Sequence, residues 1–117
     1  MDKFIYSKLW FGRRIILRKL SYKDTGPYFA GYIEIKLNDH KDWVQHATVS
    51  DSGYFYDVWP FTDLPGCPTF AGYLPIDERH LYIGFDTQEF AESYSKEDCI
   101  EILKDTAKKI SLQQRII

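Results

Sequence analysis

The sequence lacks most of the features that indicate a particular function. It has 117 residues with only 2 cysteines and 3 histidines, and its 7 glycines are scattered rather than gathered into a phosphate-binding loop. No apolar run approaches the ~20 residues that a membrane span needs. Basic residues interrupt the N-terminal segment too often for a signal-peptide core. We therefore expect a cytoplasmic protein without membrane contact, made of one domain over residues 1–117.

The few cysteines and histidines do not have the spacing of a metal or redox site. The residues between His40 and His46 match no standard zinc spacing, and Cys67 belongs to no Cys-x-x-Cys pair. The sequence accordingly predicts two reduced thiols, no bound metal and no cofactor. Cys99 fits the buried side of a helix, whereas Cys67 lies in a proline-containing loop.

Charge is distributed unevenly, although the formal net charge is only -2. Residues 1–23 carry seven basic side chains and one acidic one, a net +6, whereas residues 24–117 carry eight basic and sixteen acidic ones, a net -8. The basic segment could bind phosphate groups, or it could pair with the acidic remainder of the same chain or of a second copy. The acidic remainder argues against general binding to duplex DNA.

Hydrophobic periodicity predicts an α+β fold, in which a small, mostly antiparallel β-sheet packs against a C-terminal α-helix. Alternation over residues 28–37 predicts a half-buried strand with the even-numbered residues on one face. Ser95 is expected to cap a helix over 95–113, which covers one face of the sheet. We expect strands at 4–11, 14–20, 28–37, 69–74 and 80–85, and turns at 21–27 and 75–79.

Residues 38–66 form a long connection in which periodic signals are weak. Trp43–Val49 could be a short strand or irregular, and residues 64–68 are loop by composition because prolines remove donors and fix φ. The connection carries two of the three tryptophans, Trp43 and Trp59. A long aromatic connection of this kind is typical of a functional loop region.

Aromatic residues make up 17% of the chain, which is an unusually high share. Most are expected to fill a β-rich core. Tyrosine and tryptophan need polar partners, so several rings are expected at the core boundary, where they could line a pocket or a partner surface. Beside basic side chains, such rings could stack on a base while the cations hold phosphate charges. The candidate ligand-binding residues are Arg13, Arg14, Tyr32, His40, Trp43, Trp59, Thr69, Tyr82 and Asp86.

Asp86 has two readings that the sequence leaves open. It ends a strand just after Gly84, where close backbone approach would let its carboxylate receive a hydroxyl or an amide. It could equally cap the local turn by accepting backbone N–H groups. Glu89 and Glu92 could join it as a carboxylate set for metal or acid–base chemistry, although nothing fixes these side chains on one face. No catalytic residue is predicted.

The segments Gly31-Tyr32-Ile33 and Tyr82-Ile83-Gly84-Phe85-Asp86, with His40 in the loop between strands and Cys99 in the helix, carry a resemblance. Their order over residues 12–110 resembles that of an uncharacterised family of small phage and prophage proteins with Gly-Tyr-Val and Trp-Ile-Gly-Phe-Asp motifs. Pro65 and Glu89 stand where that family often has histidines, which weakens any histidine-based chemistry here. The resemblance implies phage origin, an α+β fold and an accessory role.

Three functions are compatible with these observations. The first is a phage counter-defence protein that binds and sequesters a small nucleotide immune signal in the host cytoplasm, with its pocket at a homo-oligomer interface. The second is a protein-binding inhibitor of a host defence complex, of anti-CRISPR or host-takeover type, whose acidic body mimics nucleic acid. The third is a small hydrolase or ring nuclease that uses Asp86, Glu89 and the histidines. It has the least support, and we do not expect an enzyme.

Overall fold

A computed structural model describes residues 3–22, 25–90 and 93–116, and the side chains of residues 4–21, 26–89 and 93–113. Its secondary structure confirms the α+β class that the sequence predicts. The strands are β1 (Lys3–Trp10), β2 (Arg13–Tyr22), β3 (Thr25–Ile35), β4 (Phe70–Leu74) and β5 (Asp77–Asp86); the α-helices are α1 (Lys41–Thr48) and α2 (Lys96–Ile116); short 3₁₀ helices lie at Ser52–Asp57, Phe61–Asp63 and Gln88–Phe90.

The five strands form one antiparallel sheet in the order β1-β2-β3-β5-β4. All five predicted strands are present, including the ambiguous first one. The two predicted turns were too long. β2 runs to Tyr22 and β3 starts at Thr25, because these two residues still pair across the hairpin. The β4–β5 turn likewise shrinks to Pro75–Ile76, since β5 begins at Asp77.

The helices pack on one side of the sheet, which we call the covered face. Odd-numbered residues of β2 and β3 point to this side and meet the apolar stripe of α2, as the sequence predicts. Ser95 caps α2 as expected: its Oγ accepts from Asp98 N–H at 3.1 Å, and Asp98 Oδ2 accepts from Ser95 N–H at 3.0 Å. The core includes Ile15, Leu17, Ile33, Ile35, Trp43, Ala47, Leu81, Ile83, Phe85, Cys99, Leu103, Ala107 and Ile110.

The opposite side, which we call the open face, has an apolar cluster built only from strand residues. The half-buried character predicted for residues 28–37 was therefore wrong. β3 is the central strand, and it is buried on both sides from Tyr28 onward apart from Phe29, which is partly exposed. Large side chains of the neighbouring strands shield its even-numbered residues. The open-face cluster comprises Ile16, Leu20, Tyr28, Ala30, Tyr32, Phe70, Leu74 and Tyr82.

The segment Trp43–Val49, expected to be strand or irregular, is mostly the helix α1. His40 caps it, with Nδ1 accepting from Asp42 N–H at 3.2 Å. Trp43 and Ala47, one helical turn apart, are its buried residues. A stripe of two apolar residues is too short a pattern to distinguish from a strand in the sequence. Among the described residues, no helix is long and apolar enough to cross a membrane.

Candidate functional site

The open face contains a niche that arises from one short side chain in the middle of the sheet. The pairings Phe4↔Arg18, Arg18↔Ala30 and Ala30↔Asp86 form a row across four strands. Ala30 leaves a gap in this row because its methyl group is much shorter than its neighbours. The niche encloses about 200 Å³ and is lined by Arg18, Leu20, Tyr28, Ala30, Tyr32, Thr69, Phe70, Phe85 and Asp86.

Tyr28 and Tyr32 form the two sides of the niche. They lie two positions from Ala30 on either side, so all three point to the same face of β3. The Tyr32 ring meets Phe70 edge to face, with centroids 5.3 Å apart. It also covers Gly84, where a Cβ would lie 2.5 Å from Tyr32 Cδ1. Gly84 is thus required for the position of this ring.

Arg18 supplies positive charge at one end of the row. Its guanidinium lies 5.5 Å from the centroid of the Phe4 ring, and its Nη1 donates to the Tyr32 hydroxyl at 3.4 Å. A bulge between Phe4 and Tyr6 shifts the register of β1, so that Phe4 still faces Arg18. The contacts with the Phe4 ring and the Tyr32 hydroxyl hold the Arg18 side chain at the edge of the niche.

Asp86 supplies negative charge at the other end, and it caps the local turn as one of its two readings predicts. Its Oδ1 accepts from Gln88 N–H at 3.1 Å, which is the turn cap. Its Oδ2 accepts from the Thr69 hydroxyl of the same chain at 3.1 Å, and binding of a ligand by this carboxylate stays a prediction. Thr69 is held in turn by its backbone N–H, which donates to Gly84 O at 2.9 Å.

A second polar cluster lies further along the open face, around Asp77. Its Oδ2 accepts from the Tyr82 hydroxyl at 2.6 Å and lies 2.8 Å from His80 Nδ1. Burial acts to raise the pKa of Asp77, but hydrogen bonds from Tyr82, His80 and the Arg79 N–H outweigh it and hold the pKa below its ordinary value. Burial, the hydrogen bond to Asp77 and the charges of Asp77 and Glu34 raise the pKa of Tyr82 far above its ordinary value.

Five of the nine candidate ligand-binding residues lie on this face around these two features. Tyr32, Thr69 and Asp86 line the niche. Tyr82 is buried beside them, and its hydroxyl is committed to Asp77. Arg14 also lies on the open face, but outside the niche, where its Nη1 donates to Ser7 Oγ at 3.0 Å.

The remaining candidates are elsewhere in the fold. Arg13 is buried, and its guanidinium donates to both carboxylate oxygens of Asp39 at 2.8 and 2.9 Å and to Glu34 O at 2.7 Å. Trp43 is in the core of the covered face, and His40 caps α1. Trp59 is 48% exposed in the connection before β4. These four residues do not meet the niche.

Sequence reasoning missed six of the nine residues that line the niche: Arg18, Leu20, Tyr28, Ala30, Phe70 and Phe85. The usable signal was the Tyr-x-Ala-x-Tyr alternation of residues 28–32, because one small residue between two large ones on a strand face leaves a gap. Glu92, one of the proposed carboxylate set, lies outside the described residues. No group of three or more His, Cys, Asp or Glu side chains that could hold a metal occurs in the described part of the chain.

The two thiols occupy different surroundings. Cys99 is fully buried, and burial together with the Asp98 charge raises its pKa to about 12. Cys67 is half-buried in the loop before β4 and has a positive φ of 76°. Both are free cysteines. A thiol as deeply buried as Cys99 is a structural residue rather than a nucleophile.

No protein-family model, curated protein or solved structure matches the chain. The resemblance to small phage proteins therefore stays a prediction. What the niche offers is a cation, a carboxylate and aromatic side walls, which is a set of groups suited to holding a small polar ligand.

Proposed function

We propose that the protein binds and sequesters a small nucleotide at the niche without converting it. The observation that carries this proposal is the placement of the Arg18 guanidinium and the Asp86 carboxylate at opposite ends of an aromatic-walled niche. A nucleotide has complementary groups, since it joins an anionic phosphate to a base and a sugar rich in hydrogen-bond donors.

The chemistry of each end supports a defined orientation. Arg18 is a planar cation whose parallel N–H groups match phosphate oxygens. Asp86 accepts hydrogen bonds, so it suits a base amine or a sugar hydroxyl that replaces or joins the Thr69 hydroxyl. Phe70 is partly exposed and offers ring surface to the base between these two ends, while the buried rings of Tyr28 and Tyr32 form the sides of the niche.

The size of the niche supports a ligand that is only partly enclosed. Its volume of about 200 Å³ is below the ~300–1,000 Å³ of most small-molecule pockets. A nucleotide would therefore leave part of its surface outside, and a second copy of the chain could cover that part. The homo-oligomer expected from the sequence would supply this cover. The setting, counter-defence by a phage protein in the host cytoplasm, rests on the resemblance.

Binding is tested by native mass spectrometry after incubation with nucleoside monophosphates and cyclic dinucleotides. We expect the wild type to retain a nucleotide that is released chemically unchanged on denaturation. Arg18→Met removes the cation but keeps an unbranched apolar chain over Phe4, and Ala30→Leu fills the niche. Both variants should lose at least tenfold in affinity.

Arg14→Met is the matched control, because it removes the same charge from the same face of β2 outside the niche. It should bind as the wild type does. Equal retention by Arg18→Met and wild type would contradict the niche as the binding site. Release of a chemically altered nucleotide would instead favour the hydrolase reading.

The second candidate function is a protein-binding inhibitor of a host defence complex. The specific observation in its favour is an exposed apolar end on the β1–β2 hairpin, where Leu9 is 60% and Phe11 52% exposed. Under this function a stoichiometric host protein should co-purify with the chain at low salt and leave at high salt. Absence of any retained protein at low salt would count against it.

A further inference from the structure

The β1–β2 turn holds an aromatic residue in a backbone conformation that aromatic residues rarely adopt. Trp10 pairs with Arg13, so Phe11 and Gly12 alone form the turn. Their φ angles are 52° and 77°, both in the left-handed region. Two-residue turns with positive φ at both positions strongly favour Asn-Gly or Asp-Gly. Gly12 fits this rule, whereas Phe11 is sterically disfavoured there.

The fold gains little from the Phe11 ring in return for that strain. The ring is 52% exposed and belongs to neither buried cluster of the described residues. Its neighbour Trp10 instead packs against the core of the covered face. The Trp10 indole N–H donates to the Tyr6 hydroxyl at 3.0 Å, and Lys104 Nζ lies 4.1 Å from the ring centroid. The hairpin end is thus anchored while Phe11 and Leu9 project from it.

Basic side chains lie near this projection. Arg14 is the cross-strand partner of Leu9, and its guanidinium donates to Ser7 Oγ. Lys104 covers Trp10 and also lies 3.5 Å from Glu101 Oε1. Lys36 Nζ lies 3.4 Å from the position that a Gly12 Cβ would occupy. Arg13 does not add to this charge at the surface, because its buried guanidinium is paired with Asp39. An exposed aromatic and aliphatic pair with cations around it complements an apolar pocket with an acidic rim.

We propose that the hairpin tip, Leu9 with Phe11, is an anchor that inserts into an apolar, acidic-rimmed pocket of a partner protein. This inference rests on the second candidate function and names its contact surface. A two-residue turn presents Phe11 with little conformational freedom, which lowers the entropy lost on binding. The strain at Phe11 is then accounted for by binding rather than by folding.

The key variant is Phe11→Asn, because it separates folding from binding. Asn suits the left-handed conformation, so the thermal unfolding midpoint should rise by about 3–6 °C. Binding to the purified partner should fall at least tenfold at the same time. Phe11→Leu is the matched control: it keeps an apolar side chain in the strained position, so it should retain most of the affinity without the rise in midpoint. A fall in midpoint for Phe11→Asn would show that the ring supports the fold, and would overturn the inference.

The partner is identified by photo-crosslinking in host-cell lysate. A benzophenone amino acid is placed at position 11, and at position 112 as an exposed control on α2. We expect crosslinking from position 11 only, to one protein at a peptide bearing apolar and acidic residues. Purified with the chain, that protein should bind more weakly as salt increases. Crosslinks to a second copy of this chain, or to nuclease-sensitive material, would overturn the proposed occupant.

Failure of the inhibitor function and failure of the hairpin tip as its contact surface give different experimental results. A protein that co-purifies equally with wild type and Phe11→Asn, and crosslinks away from position 11, would leave the inhibitor function standing and reject the hairpin tip. Retention of no protein by the wild type would reject both. Nucleotide binding at the niche is independent of either outcome.

Discussion

At the scale of single residues, Arg13 and Asp39 form a buried ion pair on which we expect the fold to depend. The side chains are 2% and 0% exposed, and Asp39 also accepts from the backbone N–H of Lys36 at 2.6 Å. Removing one partner leaves an uncompensated charge in the interior. We expect Asp39→Ala to lower the free energy of unfolding by ~3–5 kcal/mol, as measured by urea denaturation at pH 7.

The control for this prediction is the exposed pair Lys109–Asp63, with Nζ and Oδ2 2.6 Å apart and side chains 28% and 48% exposed. Solvent screens such a pair, and Lys109 keeps a second partner in Asp105. Asp63→Ala should therefore cost only ~0–1 kcal/mol. If Asp39→Ala and Asp63→Ala lowered the free energy of unfolding by similar amounts, the buried Arg13–Asp39 pair would matter no more to stability than the exposed pair.

At the scale of elements, β3 is the strand on which both faces depend, and two of its glycines test this. A Cβ at Gly31 would lie 2.6 Å from Phe85 Cε1 and 3.1 Å from Leu103 Cδ1, between β5 and α2. A Cβ at Gly26 would meet nothing within 4 Å. We expect Gly31→Ala to destabilise the fold by ~1–3 kcal/mol through overpacking. Gly26→Ala should be neutral or slightly stabilising in the same denaturation experiment. Equal effects would mean that the β5–α2 contact is loosely packed.

At the scale of the whole molecule, stability should fall at both ends of the pH range. The folded-state pKa of Asp77 lies below its ordinary value of 3.8. The unfolded chain therefore takes up this proton first, and the stability that Asp77 gives above pH 3.8 is lost as pH falls further. The folded-state pKa of Cys99 is raised from 9.0 to about 12. Its contribution is complete below pH 9.0 and is lost as pH rises from there toward 12.

These two limbs can be separated by urea denaturation across the pH range. Asp77→Asn should flatten the loss of stability at the acidic end. It should also weaken the alkaline loss that Tyr82 contributes, because the hydrogen bond and charge of Asp77 raise the pKa of Tyr82. Cys99→Ala should flatten the alkaline loss between pH 9.0 and about 12 and leave the acidic end as it is, although its absolute stability is also lower because it leaves a small cavity. The slopes against pH are the quantity to compare. If the free energy of unfolding of Asp77→Asn fell with acidic pH as steeply as that of the wild type, the acidic loss of stability would come from other carboxylates.

Parts of the fold follow from local sequence, and the reason is that their patterns are local. The alternation of β3, the β-branched content of β2 and the apolar stripe of α2 each lie within one continuous segment. Ser95 and Asp98 form their cap within three residues of each other. α1 was not predicted because only two of its residues, Trp43 and Ala47, are buried, and two positions are too few to show helical periodicity.

The site was predictable only in part, because its residues are brought together by strand register. Tyr32, Thr69 and Asp86 are candidates on sequence grounds, but they are far apart along the chain and nothing in the sequence indicates that they meet. Arg13, Arg14 and Arg18 are all arginines of the same basic segment, so the sequence does not distinguish their roles. Only the parity of β2, the position of Asp39 and the short side chain of Ala30 decide which of them faces a niche.

The sequence by itself determined the α+β class, the strands, the C-terminal helix and its cap, since each depends on spacing within one segment. The tertiary structure alone decided that Arg13 is buried, that the Tyr82 hydroxyl is committed to Asp77, and that Phe4, Arg18, Ala30 and Asp86 lie in one row. It also revealed that Phe11 has a positive φ at an exposed hairpin end. The physical reason is that pairing between distant strands sets which side chains meet, and that pairing is fixed by the packing of the whole sheet.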